Sequence, residues 1–511
     1  MAAAAAFPSR PGNVFQGELQ QDQFTYLAYA RAISERGNGF AYPNPYDDDP
    51  KAPVLYSHLY PLLVGWISRA TGLSLFHTSY LVRVVAGAAL AIALWRFVGV
   101  LFEDPRGRRA AFWTSLLAGG FVWVEALRRL FASGGPWTPA GYLEAFESAD
   151  HTCGWWFPTV FRNFFYAPET LYHALSFRLL YALAAGRAAQ ACVSLLLLLY
   201  AHPFTGLQFA AIAAGWVVAE RLDGRRGLPL PALAVAGAGI AAFLYYNLVW
   251  LPRSPSHAAL LECWRRTGFY ADPLPQLWAY APWLFLFPFG LRAAREPGPG
   301  RGPWRLVVLV LLLTAALMNH HWALGKERPF QPLHFSHGYA FLPMALLALR
   351  FALRRERVGR ALRRAPVLAA LLPFLALDNL LFLPGAHSLA RQFALPPAQA
   401  RALERIAAVR PAQTVLASLS RGLLSSLLPA VSPHRAVLGH PFLTPNLQER
   451  WERICRAVAD KPGALFAAFP GATLLVVSDA EGRSLERLGQ VGPDDLLFEE
   501  PGTRVYRRPR P

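Results

Sequence analysis

The residues best suited to catalysis lie in one polar segment near the start of the chain, Gln20 to Leu62. Asp22 stands early in it, and a carboxylate in such a position can act as a general base that takes a proton from a hydroxyl group. Asp is also favoured at the beginning of a helix, so capping is an alternative role, and the two roles can coexist. We therefore predict Asp22 as the catalytic residue.

Three successive aspartates follow in the same segment, with a lysine close behind them. Asp47, Asp48, Asp49 and Lys51 stand in a passage rich in turn-forming Gly, Asn and Pro. Carboxylate oxygens suit hard divalent cations, but such a site needs ligands from other loops as well. The triplet is therefore open to three interpretations: a solvated acidic turn, acceptor binding or a metal site. We expect no cofactor and assign no metal ligand, while a divalent metal stays open.

A second group of ionisable side chains lies between residues 319 and 337. Cations and imidazoles of this kind can stabilise a departing phosphate in a partly desolvated pocket. The donor phosphate-binding candidates are Lys326, Arg328, His320, His321, His334 and His337. A zinc site is a competing interpretation, although these histidines lack a Cys or carboxylate partner at a characteristic spacing. A plain interfacial loop is the third.

Further polar side chains, in the opening segment and in the links between apolar runs, could bind a substrate. The substrate-binding candidates are Lys51, Asp49, Tyr26, Asp150, His151, Arg162, His173 and His202. His202 precedes a proline in a tight turn, where a structural role is the alternative. The adjacent Trp155 and Trp156 can equally form an aromatic belt at a membrane surface.

Two more polar positions lie near the ends of apolar runs. Asp378 and Asn379 are expensive to place beside lipid, so function or helix packing is expected there. Glu125 is similar, and we expect it to pair with Arg128 or Arg129.

Composition indicates a polytopic membrane protein. The chain of 511 residues is 54% hydrophobic and only 16% charged, with a mean hydropathy of +0.26, which is too apolar for an ordinary soluble protein. Its formal net charge of +18 lies in short clusters between apolar runs, which is typical of topology signals and not of a nucleic-acid surface. We expect membrane lipids, and no nucleic acid, as partners.

About ten apolar spans are predicted, and they carry the loops in which these residues lie. They lie near Thr78–Leu101, Ala110–Phe131, Pro168–Ala185, Ala188–Ala201, Gly206–Arg221, Pro229–Leu251, Leu274–Leu291, Trp304–Met318, Gly338–Phe351 and Pro366–Leu383. Alternate links carry arginine clusters, which places those links in the cytoplasm. The other links, both termini and the histidines then lie on the outer face.

The tail differs in character from the rest. From His387 to Pro511, short strand-like runs alternate with helical segments, which predicts a small extracytoplasmic α/β domain. The predicted fold is thus an all-α polytopic membrane bundle, with amphipathic outer-face helices and this domain at its C-terminal end. We expect three parts: an extracytoplasmic acidic loop with amphipathic interfacial helices (1–77), the bundle (78–385) and the α/β domain (386–511).

The four cysteines show no metal-ligand spacing and do not suggest a disulfide framework. Cys153 and Cys263 both fall in predicted outer loops, so a single pairing between them stays open.

The opening segment resembles the first extracytoplasmic loop of the GT-C superfamily of integral-membrane glycosyltransferases. After Asp22 come Tyr-Leu-Ala-x-Ala-Arg, a Gly-rich turn, Asn-Pro-Tyr, an acidic run, Lys-x-Pro and Tyr-Pro-Leu-Leu. More narrowly, it resembles the bacterial family-39, protein mannosyltransferase-like branch that uses undecaprenyl-phosphate sugars. The segment from Trp137 to Tyr172 and the tail resemble other parts of these proteins.

In that superfamily an acidic residue at the start of this loop is the general base or a metal ligand, and Asp22 takes that position. The family often has two acidic residues there, whereas Gln23 follows Asp22 here. Family members also carry a membrane helix before the loop, and Met1 to Gly17 holds only a short Ala run. We therefore expect that first helix to be absent or the start to be truncated.

The resemblance implies transfer of a sugar, with inversion, from a polyprenyl-phosphate-linked donor. The acceptor would be a lipid, glycan or protein on the outer side of a bacterial cytoplasmic membrane. Two alternatives stay open: a lipid or solute transporter, and a catalytically inactive scaffold on the same fold. A transporter usually shows repeated halves with ionisable residues at the membrane midplane, and the sequence shows neither.

Overall fold

The computed structural model describes residues 21–35, 37–49, 51–149, 159–224, 228–266, 270, 273–295, 301–325, 331–392, 395–410, 414–417 and 423–508. Most of these residues are helical, and a small sheet lies near the C-terminal end. Some predicted features lie outside the described residues, namely Asp150, His151, Lys326, Arg328 and the Cys153 partner proposed for Cys263.

The chain forms two compact units. The first unit comprises Met1–Val82, Tyr246–Arg266 and His387–Pro511, and the second comprises Arg83–Tyr245 and Thr267–Ala386. The first unit therefore combines the opening polar segment with the tail. The three-part division at 77 and 385 stays a prediction.

The first unit is built on the helix Gln21–Glu35, which contacts helices Leu59–Thr71 and Leu423–Val431. Its other helices are Pro255–Arg266, Pro397–Ala408, Leu447–Ala459, Ala464–Ala468 and Asp479–Arg487, with short 3-10 turns at Leu251–Arg253 and Pro493–Asp495 and a π-helical turn at Tyr246–Trp250. The sequence boundaries between the units at residues 82/83 and 386/387 fall within helices Leu75–Leu101 and Leu377–Gln392.

The opening helix is more deeply buried than its amphipathic pattern indicates. The spacing of Phe24, Leu27, Ala28 and Ile33 predicts one apolar side, and Phe24 and Leu27 are fully buried. Thr25, on another side, is only 1% exposed, because its hydroxyl bonds to the hydroxyl of Tyr46 at 3.0 Å. Arg31 donates to the carbonyl of Ala430 at 3.0 Å. The loop around Tyr46 and the tail therefore cover sides of this helix that we expected to meet a membrane surface.

The tail forms a mixed five-stranded sheet. Its strands are β1 (Thr414–Ala417), β2 (Arg435–Ala436), β3 (Ala472–Val477), β4 (Leu496–Glu500) and β5 (Thr503–Arg507), in the order β2-β1-β3-β5-β4. Strand β1 is parallel to β2 and β3, whereas β5 is antiparallel to β3 and β4. Leu475 of β3, Leu416 of β1 and Ile454 of a covering helix share one apolar core. The predicted α/β composition of the tail is confirmed.

The second unit is helical in its described part. Its helices are Pro105–Leu117, Val122–Ser133, Pro139–Ala149, Ala167–Ala184, Ala188–Ala201, Pro203–Leu222, Leu230–Tyr245, Pro273–Tyr280, Trp283–Arg295, Arg301–Met318, His321–Leu324, Phe341–Arg354, Glu356–Leu362 and Ala365–Leu375, with 3-10 turns at Phe161–Phe165 and Pro332–Phe335.

Several helices have the length and composition of membrane spans. Within the described residues three qualify alone, namely Leu75–Leu101, Leu230–Arg253 and Gly302–Leu324. The number rises to five if each of two bent helix pairs counts as one span. The pairs are Pro105–Leu117 with Val122–Ser133, bent by 41°, and Ala365–Leu375 with Leu377–Pro384, bent by 49°. These helices are consistent with an integral membrane protein, and the figure of about ten spans stays a prediction.

Asp378 and Asn379 join the two bent pairs to each other. The Asp378 carboxylate accepts the backbone N–H groups of Val122 at 3.1 Å and Trp123 at 2.9 Å, so it caps the helix Val122–Ser133. The Asn379 amide donates to the carbonyl of Leu117 at 2.8 Å. Of the two roles expected for this pair, the structure shows helix packing.

The ion pair expected at Glu125 is confirmed. Its carboxylate, which is 3% exposed, binds Arg128 at 2.6 Å and Arg129 at 2.9 Å.

We predict that Asp378→Ala lowers the free energy of unfolding by about 1–3 kcal/mol, because the buried N–H of Val122 and the partly buried N–H of Trp123 lose their acceptor. Thermal unfolding of the detergent-solubilised protein measures the effect. Glu103→Ala, at an exposed position, is the control and should change stability by no more than about 0.5 kcal/mol. An unchanged melting temperature in Asp378→Ala would show that the cap contributes nothing.

Candidate active site

Asp22 lies in the first turn of the opening helix and contacts a histidine of the tail. Its Oδ1 forms a short hydrogen bond with Nε2 of His440. The Asp22 side chain is 42% exposed, whereas that of His440 is 4% exposed. The carboxylate is therefore held from the protein side by a buried ring and is accessible on another side.

The tautomer of His440 follows from its second contact. The backbone N–H of Phe442 donates to Nδ1 at 3.2 Å, so Nδ1 carries a lone pair and no proton. Nε2 must then carry the hydrogen and donate it to Asp22. Both nitrogens of this imidazole are engaged, and the ring acts as a donor towards the carboxylate.

The turn that carries His440 is fixed from several directions. Asn44 of the opening segment donates to the carbonyl of Leu443 at 2.9 Å, and the Trp264 indole donates to the carbonyl of Phe442 at 2.7 Å. Gly439 packs so closely on Tyr46 that a Cβ atom would lie 2.0 Å from the ring. Only glycine allows this approach, which brings His440 into position.

A row of aromatic rings extends from the Asp22 helix through the first unit. Tyr26, predicted to bind substrate, packs edge-on against Tyr60, with ring centroids 5.7 Å apart. Tyr29 stacks on Tyr42 at 4.5 Å, and Tyr42 stacks on Tyr56 at 5.9 Å. Tyr26 also packs edge-on against Tyr29 at 6.3 Å, so two phenol rings lie against it.

Two histidines end this row and are neutral at physiological pH. The Tyr42 hydroxyl lies 2.7 Å from Nδ1 of His58, and the Tyr56 hydroxyl lies 3.2 Å from Nδ1 of His257. Burial lowers the pKa of His58 to about 4, with a smaller contribution from His257. Burial alone lowers the pKa of His257 to about 4. Neither ring therefore provides a cation for a phosphate at neutral pH.

The acidic triplet is clamped by two arginines of the tail. Asp47, only 3% exposed, accepts a hydrogen bond from Ser256 at 2.6 Å, and Asp48 pairs with Arg450 at 2.7 Å. Arg435 donates to the backbone carbonyl of Asp49. The solvated-turn interpretation is therefore wrong for Asp47, because arginines distant in sequence cover the turn.

Arg450 is the centre of this clamp. It also donates to the carbonyls of Tyr46 at 3.0 Å and Val437 at 2.9 Å. Burial lowers the pKa of its guanidinium, and Asp48 beside it acts in the opposite direction.

Asp49 and Lys51, two substrate-binding candidates, remain at the surface. Both side chains are exposed, and Asp49 accepts the backbone N–H of Lys51 at 2.8 Å. Among the described residues no group of three or more His, Cys, Asp or Glu side chains is arranged to hold a metal ion.

The second unit brings together four of the predicted histidines. His337 stacks with His173 at 6.3 Å, with His202 at 5.9 Å and with His334 at 5.8 Å between ring centroids. The ring nitrogens of His173 lie 2.7 Å from the carbonyl oxygen of Glu169 and 2.5 Å from that of His337. We call His173, His202, His334 and His337 the histidine cluster.

Backbone strain accompanies the histidine cluster. His337 has φ +22° and Gly338 has φ +83°, conformations that non-glycine residues rarely adopt. Strain of this kind is often found at functional sites. His202 also has the structural role considered above, because its Nδ1 accepts the Thr205 N–H at 3.2 Å and caps the helix Pro203–Leu222.

The remaining candidates of the second unit make other contacts. His320 donates through Nδ1 to the carbonyl of Leu317 at 2.6 Å, and His321 packs on Tyr270 with centroids 4.9 Å apart. Arg162 is 1% exposed and lies over the Phe382 ring at 4.8 Å.

Comparisons with known proteins identify the fold. No family model and no curated protein matches the chain. Two crystal structures of ArnT from Cupriavidus metallidurans are similar, each covering 95% of this chain and 93% of that one. The structure bound to undecaprenyl phosphate has a TM-score of 0.54 at 11% identity, and the apo structure has 0.45 at 10%. The TM-score of 0.54 shows that the chain shares the fold of ArnT, which is the GT-C fold that the opening segment led us to expect, whereas the narrower family-39 branch stays a prediction.

His440 and Arg450 are not among the site residues predicted from the sequence. The available signal was the Gly439-His440-Pro441 triplet, since glycine followed by a residue capable of chemistry before proline indicates a constrained turn.

We predict that His257 makes the protein less stable in acid. In the unfolded chain it takes up a proton near pH 6.5, but in the folded state only near pH 4, so its stabilising contribution is present above pH 6.5 and is lost as the pH falls. The loss should reach about 2 kcal/mol at pH 5. His257→Asn, which keeps an acceptor for Tyr56, should unfold with a flatter pH dependence between 7 and 5. Identical pH profiles would contradict the assignment.

We also predict that Arg450→Met lowers the free energy of unfolding by about 3 kcal/mol, because Asp48 loses its partner at 2.7 Å and the buried Asp47 loses the cation that lies 3.9 Å away. Arg453→Met on the same helix is the matched control, since that arginine forms an exposed pair with Glu449. It should cost less than about 1 kcal/mol. Equal shifts in melting temperature for the two variants would exclude Arg450 as the clamp.

Proposed function

We propose that this chain is a membrane glycosyltransferase that takes a sugar from a polyprenyl-phosphate-linked donor. Support comes first from the GT-C fold, shared over 95% of the chain with a protein solved bound to undecaprenyl phosphate. The observation that carries the proposal is Asp22, a carboxylate fixed by His440 yet 42% exposed. A general base needs both a fixed orientation and access to its substrate.

The proposed reaction is a single displacement. Asp22 takes the proton from an acceptor hydroxyl as that oxygen forms a bond to C1 of the sugar. The bond between C1 and the phosphate oxygen breaks on the opposite face, and its electron pair leaves with the polyprenyl phosphate. The configuration at C1 is inverted, and the proton ends on the Asp22 carboxyl group.

The leaving phosphate requires cations or hydrogen-bond donors. We assign this role to Lys326, Arg328, His320, His321, His334 and His337. The histidine cluster supports this role for two of them, because His334 and His337 pack with His173 and His202 beside the left-handed backbone of His337. Donors that are held in place before reaction stabilise developing phosphate charge without further reorganisation.

Substrate positioning is assigned to the remaining candidates. Tyr26, Asp49 and Lys51 belong to the opening segment, while Asp150, His151, Arg162, His173 and His202 belong to the second unit. Tyr26 is partly exposed among phenol rings, and such rings suit the apolar faces of a sugar. The acceptor is a lipid, glycan or protein on the extracytoplasmic side.

The proposed setting is the bacterial cytoplasmic membrane. The arginine-rich links are assigned to the cytoplasmic side. The acidic loop (1–77) and the α/β domain (386–511), which precede and follow the bundle (78–385) in the sequence, are then assigned to the extracytoplasmic side. The described apolar helices support a multi-pass arrangement.

We predict that Asp22→Asn reduces turnover by at least about 100-fold, because the amide cannot take the acceptor proton. Purified protein in liposomes is given a panel of synthetic undecaprenyl-phosphate hexoses and pentoses with membrane extract as acceptor, and released undecaprenyl phosphate is measured. This product is common to every donor, so the sugar need not be known beforehand.

Glu35→Gln is the matched control, because Glu35 lies on the same helix and forms an exposed pair with Arg31. It should release undecaprenyl phosphate at the wild-type rate. Undiminished release by Asp22→Asn, at equal protein level, would remove Asp22 as the base.

A further inference from the structure

We propose that His440 is a positioning residue for Asp22, so that the C-terminal α/β region completes the active site. This inference rests on the proposed function and adds a role for the tail. The contact joins two residues 418 positions apart, and it connects the first turn of the opening helix to the turn that follows β2.

The geometry assigns His440 to positioning and not to proton transfer. Its Nε2 already carries the hydrogen that it donates to Asp22, and its Nδ1 lone pair accepts the N–H of Phe442. A ring with both nitrogens occupied in this way has no site at which to take the acceptor proton. Proton removal therefore falls to the Asp22 carboxylate.

Positioning has a definite physical effect here. A carboxylate in the first turn of a helix can rotate about two side-chain bonds, and most of those orientations do not face a bound hydroxyl. A hydrogen bond from a buried donor to one oxygen selects one orientation, and a bond to an ionised acceptor is stronger than one between neutral groups. Misplacement of a catalytic group by about 1 Å can cost about 100-fold in rate.

The rest of the turn shows that His440 is held rigidly enough for this task. Its own carbonyl accepts a hydrogen bond from the Thr444 hydroxyl at 2.9 Å. The carbonyls of Phe442 and Leu443 accept hydrogen bonds from Trp264 and Asn44, as described above. These contacts come from the opening segment, from Pro255–Arg266 and from the tail itself. The three sequence regions of the first unit therefore meet at His440.

A second buried histidine of the tail provides the comparison. His434 is fully buried and bonds through Nε2 to the carbonyl of Ile406 at 2.8 Å. It lies six residues before His440 in the sequence, and its Nε2 likewise contacts an oxygen atom of another element, here a backbone carbonyl. Replacing His434 removes an equal volume of buried ring without touching the carboxylate contact.

The test compares His440→Ala, His440→Gln and His434→Ala in the full-length protein, with the same undecaprenyl-phosphate sugar panel in liposomes. We expect His440→Ala to lower kcat by about 10- to 100-fold with the KM for donor little changed. His440→Gln, whose amide reproduces the Nε2 donor, should retain kcat within about threefold of wild type. Added imidazole should restore part of the kcat that His440→Ala loses. It should not raise the kcat of His434→Ala.

The outcomes separate this inference from the proposed function. Wild-type kcat in His440→Ala, or equal losses in both alanine variants without imidazole rescue, would overturn the positioning role while Asp22→Asn remains inactive. Full activity of Asp22→Asn, or no release by the wild type, would instead overturn the proposed function, and the inference with it. The double variant Asp22→Asn with His440→Ala should be no slower than Asp22→Asn alone.

Discussion

The active site proposed here depends on buried charge pairing between the opening segment and the tail. A buried guanidinium is tolerated only when carboxylates and carbonyls satisfy it, and Arg450 meets that requirement through Asp48 and the carbonyls of Tyr46 and Val437. This arrangement fixes the loop that carries Asn44. Asn44 in turn helps to hold the turn that carries His440, and His440 holds Asp22.

The chemistry of the first unit reflects this burial. His58 and His257 are neutral at pH 7 because burial disfavours their protonated forms, so the phenol row around Tyr42 is polar without being charged. Asp22 differs from the buried aspartate Asp47 in its exposure, and this difference decides which carboxylate can reach a substrate. Asp47 is a structural residue, and Asp22 is the one that we assign to proton transfer.

Elements defined by local patterns could be predicted from the sequence. The runs at Thr414–Ala417 and Ala472–Val477 are short, apolar and flanked by polar or turn residues, so their assignment as strands needs no tertiary information. Glu125 and its arginines are neighbours on one helix surface. Helix lengths were harder, because Pro288, Pro373 and Pro384 lie inside helices, where proline tends to break or kink them.

The candidate site was only partly predictable, because its contacts are not local. Asp22 stands out through its position in the opening segment, but nothing in a single sequence connects it with His440. The acidic triplet was open to a solvated interpretation for the same reason, since the contacts that Arg435 and Arg450 make there span 386 and 404 positions of the sequence. The histidine cluster was anticipated as a set of residue types, and its stacked geometry depends on the packing of separate helices.

The proposed reaction breaks the bond between a sugar and a polyprenyl phosphate with inversion at the sugar carbon. The most direct measurement follows an undecaprenyl-phosphate sugar labelled with 13C at C1 by NMR, with the protein in liposomes. We expect loss of the phosphate coupling at C1 and a product of opposite anomeric configuration. An intact donor that merely crosses the bilayer, or a product of retained configuration, would contradict it.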